Sequence, residues 1–258
     1  MKVAMMQPAF LPWQGFFELI AKADRFVFLD DFQFSVQSYH QRNRLFVNPG
    51  KADWYTVPIR KSLSFGEPLN LTQVAEDGSW RMKMWKRIRM NYAKAPHFGE
   101  LSGPLQNWLL HPWGTLAAQN MEFIRWVCGL LRLAPEFRLS SSFPCTAQRS
   151  ARVREILQWC EGQVYFSARG SFEYMLADGV FPMEGMEARF QDFQPKPYPQ
   201  VGSPDSFVPC LAILDALLNV GPEATRQLVV GGTSHWWSWE EMKAVRAGRE
   251  GIEEPSEQ

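Results

Sequence analysis

The opening thirty residues constrain the fold more than any other stretch. Val3 to Met6 is a short apolar run, and QPAFLPWQG (7 to 15) follows it with two prolines and a glycine. From Trp13 to Ala23, Phe16, Phe17, Leu19 and Ile20 repeat with helical spacing, and Arg25 to Leu29, RFVFL, is a second apolar run that stops at Asp30-Asp31. Strand, helix and strand in that order make a parallel crossover, the elementary unit of an α/β sheet, and the connection is long enough for its right-handed form. Gln7 and the Asp30-Asp31 pair then fall just beyond the carboxyl ends of neighbouring strands, where open α/β sheets place ligands. A loop shaped by proline and glycine and leading into a helix N-terminus also offers backbone N–H groups and the helix dipole to a phosphate or carboxylate.

The rest of the chain extends this plan. Leu45 to Val47 and Trp54 to Ile59 predict two strands around the turn NPGK, and Ser79 to Tyr92 predicts an amphipathic helix with Trp85, Ile88 and Tyr92 on one side. A mainly helical region runs from Pro104 to Leu133, followed by a helix from Ser150 to Cys160 and a strand over QVYFS (163 to 167). A short helix around Phe172 to Leu176 and a strand within MEARFQDF come next, and Leu211 to Asn219 predicts a final buried helix ended by Gly221, with Pro222 behind it. The expectation is an α/β fold: a mainly parallel sheet with a nucleotide-binding-like strand–loop–helix N-terminus and a largely helical middle region. Residues 1–240 read as a single α/β domain with a helical insertion at about 79–160, and 241–258 as a mobile polar tail.

At 258 residues with 46% hydrophobic content the chain can bury a full core. Lys plus Arg equals Asp plus Glu at 27 each, so net charge gives no footing for nucleic acid or an acidic membrane surface as the main partner. Pro8 and Pro12 interrupt the N-terminus before a secretory signal can form, and no stretch reaches the ~20 apolar residues of a transmembrane segment. Cys128, Cys145, Cys160 and Cys210 are widely spaced without a C-x-x-C pair, which argues against a zinc knuckle or a disulfide framework. These features point to a reduced, cytoplasmic protein acting on a small-molecule substrate. They specify no cofactor, metal or oligomeric state.

Asp30 and Asp31 are the candidate catalytic carboxylates. Either can serve as base for a sugar hydroxyl or amine, or hold Mg²⁺ with a phosphate ligand. The plainer alternative is that one caps the next turn and the other pairs with Arg42 or Arg44. His40 is a candidate acid or base near neutral pH, set against the common outcome that a lone histidine is satisfied or on the surface. Arg42 can clamp a phosphate or carboxylate, and the amides of Asn43, Gln7 and Gln33 can donate and accept at a polar substrate. Trp13 either stacks on a sugar or base or packs in the core, and Gly15 shapes the substrate-binding loop. Tyr198, between Pro197 and Pro199, sits on a rigid segment able to close over a ligand. Asp215, an acid inside an apolar helix, needs a buried partner and is expected to be structural.

The opening spacing resembles the nucleotidylyltransferase and pantothenate-synthetase class, in which an apolar strand leads to an H-x-G-H signature at a helix start. Here the four residues are Trp13, Gln14, Gly15 and Phe16, so the histidines that steady transferring phosphates in that class are missing. A second resemblance takes in more of the chain. MQPAFLPWQGFFELI (6 to 20), FVFLDDFQF (26 to 34), QRNR (41 to 44), VYFSARGSFEYM (164 to 175), PYPQ (197 to 200) and FVPCLAILDALLNVGPEA (207 to 224) resemble, in this order, the WbqC-like protein family. The departure is at Ser167 to Gly170, where a more glycine-rich turn is expected. That family is associated with bacterial O-antigen and other surface-polysaccharide gene clusters. The resemblance implies an enzyme of surface-polysaccharide biosynthesis, a transferase acting on an activated sugar or other nucleotide- or phosphate-bearing donor. The alternative is a non-catalytic binding or assembly protein of the same pathway.

Overall fold

The structure, a computed structural model, describes residues 1–48, 51–60, 64, 66–76, 79–145, 147–179, 181–202 and 206–250. Its first half runs β1 (Lys2–Met6), α1 (Gln14–Lys22), β2 (Arg25–Phe28), β3 (Arg42–Asn48), β4 (Lys51–Thr56), α2 (Trp80–Tyr92), α3 (Phe98–Leu110) and α4 (Leu116–Leu130). The second half runs β5 (Glu136–Leu139), α5 (Arg149–Trp159), β6 (Val164–Ser167), α6 (Phe172–Ala177), β7 (Glu187–Phe190), α7 (Ile213–Val230), β8 (Trp237–Ser238) and α8 (Trp239–Glu250). Six strands form one sheet in the order β5-β2-β1-β6-β7-β8, and β3 pairs with β4 as a separate antiparallel ribbon. All neighbours in the large sheet are parallel except β7 and β8. Numbered by their own succession, these strands follow the order of a doubly wound sheet.

The apolar runs that announce β1 and β2 do not alternate because both faces of the sheet are covered. Ala4, Phe26 and Phe28 pack on one face with Phe16, Phe17, Leu19 and Ile20 of α1 and with buried residues of α2, α3, α4 and α7. Val3, Met5, Val27 and Tyr165 point the other way, onto Val153, Ile156 and Leu157 of α5, Phe172 and Met175 of α6, and Trp239 and Met242 of α8. The register sets Val3 opposite Arg25 and Met6 opposite Phe28, so β1 and β2 end side by side. Gln7 and the Asp30-Asp31 pair therefore emerge at one edge of the sheet, as their positions in the sequence require.

Three features differ from the sequence reading. Residues 79–160 are largely helical, yet they contain β5, which pairs with β2 from Arg25 opposite Glu136 to Phe28 opposite Leu139. Residues 241–250, assigned to a polar tail, continue α8, because Trp239 and Met242 recur one helical turn apart and are buried. The helix from Ile213 does break at Gly221, whose φ of 78° and ψ of 172° are non-helical, but a second helical stretch restarts at Pro222. The Pro49-Gly50 turn and residues 251–258 lie outside the described residues.

Candidate functional site

The strand order reverses between β1 and β6, so the connections leaving their carboxyl ends diverge and leave a crevice, the usual ligand position in doubly wound sheets. A cavity of about 420 Å³ lies there. Met5, Met6 and Gln7 contribute from β1 and its exit, Leu29 and Phe32 from the exit of β2, and Ser167, Gly170 and Ser171 from the exit of β6. Tyr39 and His40 close it from the segment before β3. None of the described lining residues carries a formal charge at neutral pH; the walls are apolar, aromatic, hydroxyl and amide.

Two hydrogen-bonded polar groups line this cavity. On one side, His40 Nε2 lies 3.0 Å from Gln7 Oε1, while His40 Nδ1 accepts the Ser35 N–H at 3.3 Å. The imidazole is thus the Nε2–H tautomer, with both nitrogens engaged. Burial without a charged partner pushes its pKa down to about 4, which keeps it neutral. Gln7, with its oxygen held by His40, donates its amide to the Gln33 carbonyl at 3.4 Å; the Gln33 side chain is exposed. On the other side, Ser167 Oγ lies 3.0 Å from the Tyr165 hydroxyl and 2.6 Å from Ser171 Oγ, which donates to the Ala168 carbonyl.

The loop between β1 and α1 is fixed by two buried amides. Asn43 donates to the carbonyls of Leu11 (2.7 Å) and Phe10 (3.4 Å), and Asn120 donates to those of Pro8 (2.9 Å) and His40 (2.8 Å). Pro12 and Tyr39 carbonyls accept the N–H groups of Ile213 and Phe10. Gly15 lets Trp13 fold back over the start of α1: a Cβ there would sit 2.4 Å from the indole, which packs edge-on against Phe193. Adjoining the first is a second cavity, of about 370 Å³, lined by Pro12, Trp13, Phe16, Asn43 and Cys210 and sharing Met6, Ala9 and Tyr39 with it.

The sequence model of the WbqC-like protein family matches residues 7–227, a span that contains the loop, every candidate residue and the lining of both cavities apart from Met5 and Met6. The chain belongs to that family. An uncharacterized Mycobacterium tuberculosis protein, Rv1507c, is 29% identical over 226 residues, which is 86% of this chain and 95% of the relative. No solved structure matches the chain.

Several of the candidate residues, with Asp215, are hydrogen-bonded or paired inside this WbqC-like protein. Asp30 is buried, accepting the Ser141 N–H at 3.0 Å, the Ser141 hydroxyl at 2.7 Å and the Asn70 amide at 3.4 Å. Asp31 pairs with Arg152 of α5 and accepts the Ser140 hydroxyl, so neither carboxylate pairs with Arg42 or Arg44. Tyr198 and Tyr92 donate to the buried Asp215 at 2.7 Å each and Gln200 donates at 2.8 Å, so its buried partners are two tyrosines and an amide. Burial raises the Asp215 pKa, and these donors oppose it. Arg42 stacks on Trp54, 4.3 Å from its ring centroid.

The first cavity thus gathers Gln7 and His40 from the candidate set, the second gathers Trp13 and Asn43, and Asp30, Asp31 and Tyr198 lie outside both linings. Sequence reasoning missed Ser167, Ser171 and Tyr39, although the two serines lie inside the VYFSARGSFEYM block and Tyr39 two residues before QRNR. It also missed Glu18, buried inside α1 and held by Gln191 and Thr233. Among the described residues no cluster of three or more His, Cys, Asp or Glu side chains is placed to hold a metal ion. No helix among them is long and apolar enough to cross a membrane.

Proposed function

We propose that this WbqC-like protein is an enzyme of bacterial surface-polysaccharide (O-antigen) biosynthesis, a cytoplasmic transferase that binds an activated-sugar or other nucleotide-bearing donor in the cavity between β1 and β6. The observation that carries the reading is the coincidence of that cavity with the reversal of strand order, where doubly wound sheets bind their ligands. Its aromatic walls suit a flat ring, and the Gln7 amide and the Ser167 and Ser171 hydroxyls suit the hydroxyl and carbonyl groups of a nucleoside or sugar. In this reading His40 positions Gln7, and the Asp30-Asp31 pair anchors the cavity's outer wall. The family's association with surface-polysaccharide gene clusters supports the pathway.

A second reading, a non-catalytic binding or assembly protein of the same pathway, is favoured by one observation. Both His40 nitrogens and both strand-end carboxylates are already engaged within the protein, which leaves no free base at the cavity among the described residues. Thermal unfolding in the presence of nucleotides, nucleotide-sugars and sugar phosphates tests donor binding. A donor at about a hundred times its Kd adds roughly 2.7 kcal/mol, which raises the midpoint by several degrees. Gln7→Ala is expected to abolish that rise. No rise with any donor class counts against the donor-binding enzyme and favours the assembly role, and a rise without group transfer to glycan acceptors selects a non-catalytic binding protein.

A further inference from the structure

We infer that the cavity beside Trp13 is a second subsite, which takes a single uncharged carbocyclic ring and holds it next to whatever fills the first cavity. The inference rests on the donor reading only for the identity of that neighbour; the subsite itself is argued from its own lining. The two cavities have Met6, Ala9 and Tyr39 in common, so groups bound in them are neighbours. Three distant stretches build the second one: Pro12, Trp13 and Phe16 at the start of α1, Asn43 on β3, and Cys210 ahead of α7. Its volume of about 370 Å³ is within the range of small-molecule sites.

The lining selects by what it lacks. None of the described lining residues carries a formal charge at neutral pH, so an anion or cation drawn inside meets no side-chain counter-charge. The one amide, Asn43, is already engaged: its Nδ2 donates to the Leu11 and Phe10 carbonyls and its Oδ1 accepts the Arg44 N–H at 2.8 Å. The other polar side-chain atoms belong to Trp13, Tyr39 and Cys210, which are partly or fully exposed. A nucleobase placed here therefore loses water from its polar edges without gaining buried partners, whereas a carbocyclic ring has no such edges. The walls suit that ring. Trp13 is held in position by its fold over Gly15 and its edge-on contact with Phe193, 5.0 Å between centroids. Tyr39 is 56% exposed with its ring 5.8 Å from that of Trp54, so it presents aromatic surface that a bound ring covers.

Cys210 is exposed and lines this cavity but not the first, so disulfide exchange at its thiol samples this subsite. The full chain is equilibrated with the disulfide of phenylethanethiol and with those of two thiols of equal linker length that carry uracil or benzoate in place of phenyl. Capture at Cys210 is read by peptide mass spectrometry against the same chain unfolded in guanidinium chloride. On the folded chain the phenyl probe is expected to be captured roughly tenfold more than either of the others, the size of effect that a buried polar edge without a partner produces, and on the unfolded chain equally. Tyr39→Ala, at a surface position, and Trp13→Ala should each reduce that preference several-fold. Equal capture of the three probes, or a phenyl preference that survives Tyr39→Ala, overturns the assignment. So does preferred capture of benzoate, which points to an anion at the start of α1, or of uracil, which points to the base of a nucleotide donor. Donor-induced stabilisation through Gln7, which is outside this lining, is read separately and stands or falls on its own.

Discussion

His40 shows how burial alone sets a residue's role. A histidine in an unfolded chain titrates near 6.5, whereas the buried imidazole titrates at about 4, because no acid compensates the lost hydration of its cationic form. Between those values the unfolded chain binds a proton that the native protein does not, so stability falls as pH falls through that window and is fully present above it. The gap is worth roughly 3 kcal/mol. Urea unfolding of wild type and His40→Gln between pH 7 and pH 4 should show a loss in wild type about 3 kcal/mol larger than in the variant. Parallel pH profiles would mean that His40 is not buried in its neutral form. The sequence named His40 for chemistry from its residue type; its two hydrogen bonds, to Ser35 and Gln7, follow from a chain path that only the folded loop defines.

At the scale of elements, the break in α7 is the clearest test of backbone geometry. Gly221 adopts a φ of 78° and ψ of 172°, a region essentially confined to glycine, and a Cβ there would lie 2.5 Å from the His97 ring. Gly221→Ala is expected to cost about 2 kcal/mol or more, through backbone strain and displacement of His97. Gly129, near the end of α4 with open space around it, is the control: Gly129→Ala should stabilise the protein by roughly 0.5–1 kcal/mol. Equal effects from the two substitutions in denaturant titrations would refute the argument. The Gly221-Pro222 pair announced this stop in the sequence, since glycine tolerates the conformation and proline cannot continue a helix. The restart beyond it was not legible, because proline at a first helical turn and proline after a helix end are the same letter.

For the whole molecule, the strand-end acids act as cross-braces between distant segments. Asp30 joins the exit of β2 to Asn70 and to the turn at Ser140-Ser141, and Asp31 joins it to α5 through Arg152. Asp30→Ala leaves the Ser141 donors without their acceptor, at about 1–3 kcal/mol for each group that stays buried. Calorimetry should show the midpoint falling by roughly 2–4 °C for each kcal/mol lost. An unchanged midpoint with loss of group transfer would return Asp30 to the catalytic role that its strand-end position first suggested.

The sequence by itself determined the sheet, because unbroken apolar runs joined by an amphipathic helix bury well as parallel strands covered on both faces. It also put Gln7 just past the end of its strand, but the pairing of Val164–Ser167 with Val3–Met6, and with it the cavity between them, belongs to the tertiary structure. Tertiary structure alone decided which polar residues face that cavity. Asn43, Asp30 and Tyr198 have side chains suited to ligands, yet each meets a buried backbone or side-chain group from a remote segment, and an unsatisfied buried polar group is costly enough to claim it. Arg42 and Arg44 escaped that claim because no acid from any described segment reaches them, a matter of where the other strands and helices end.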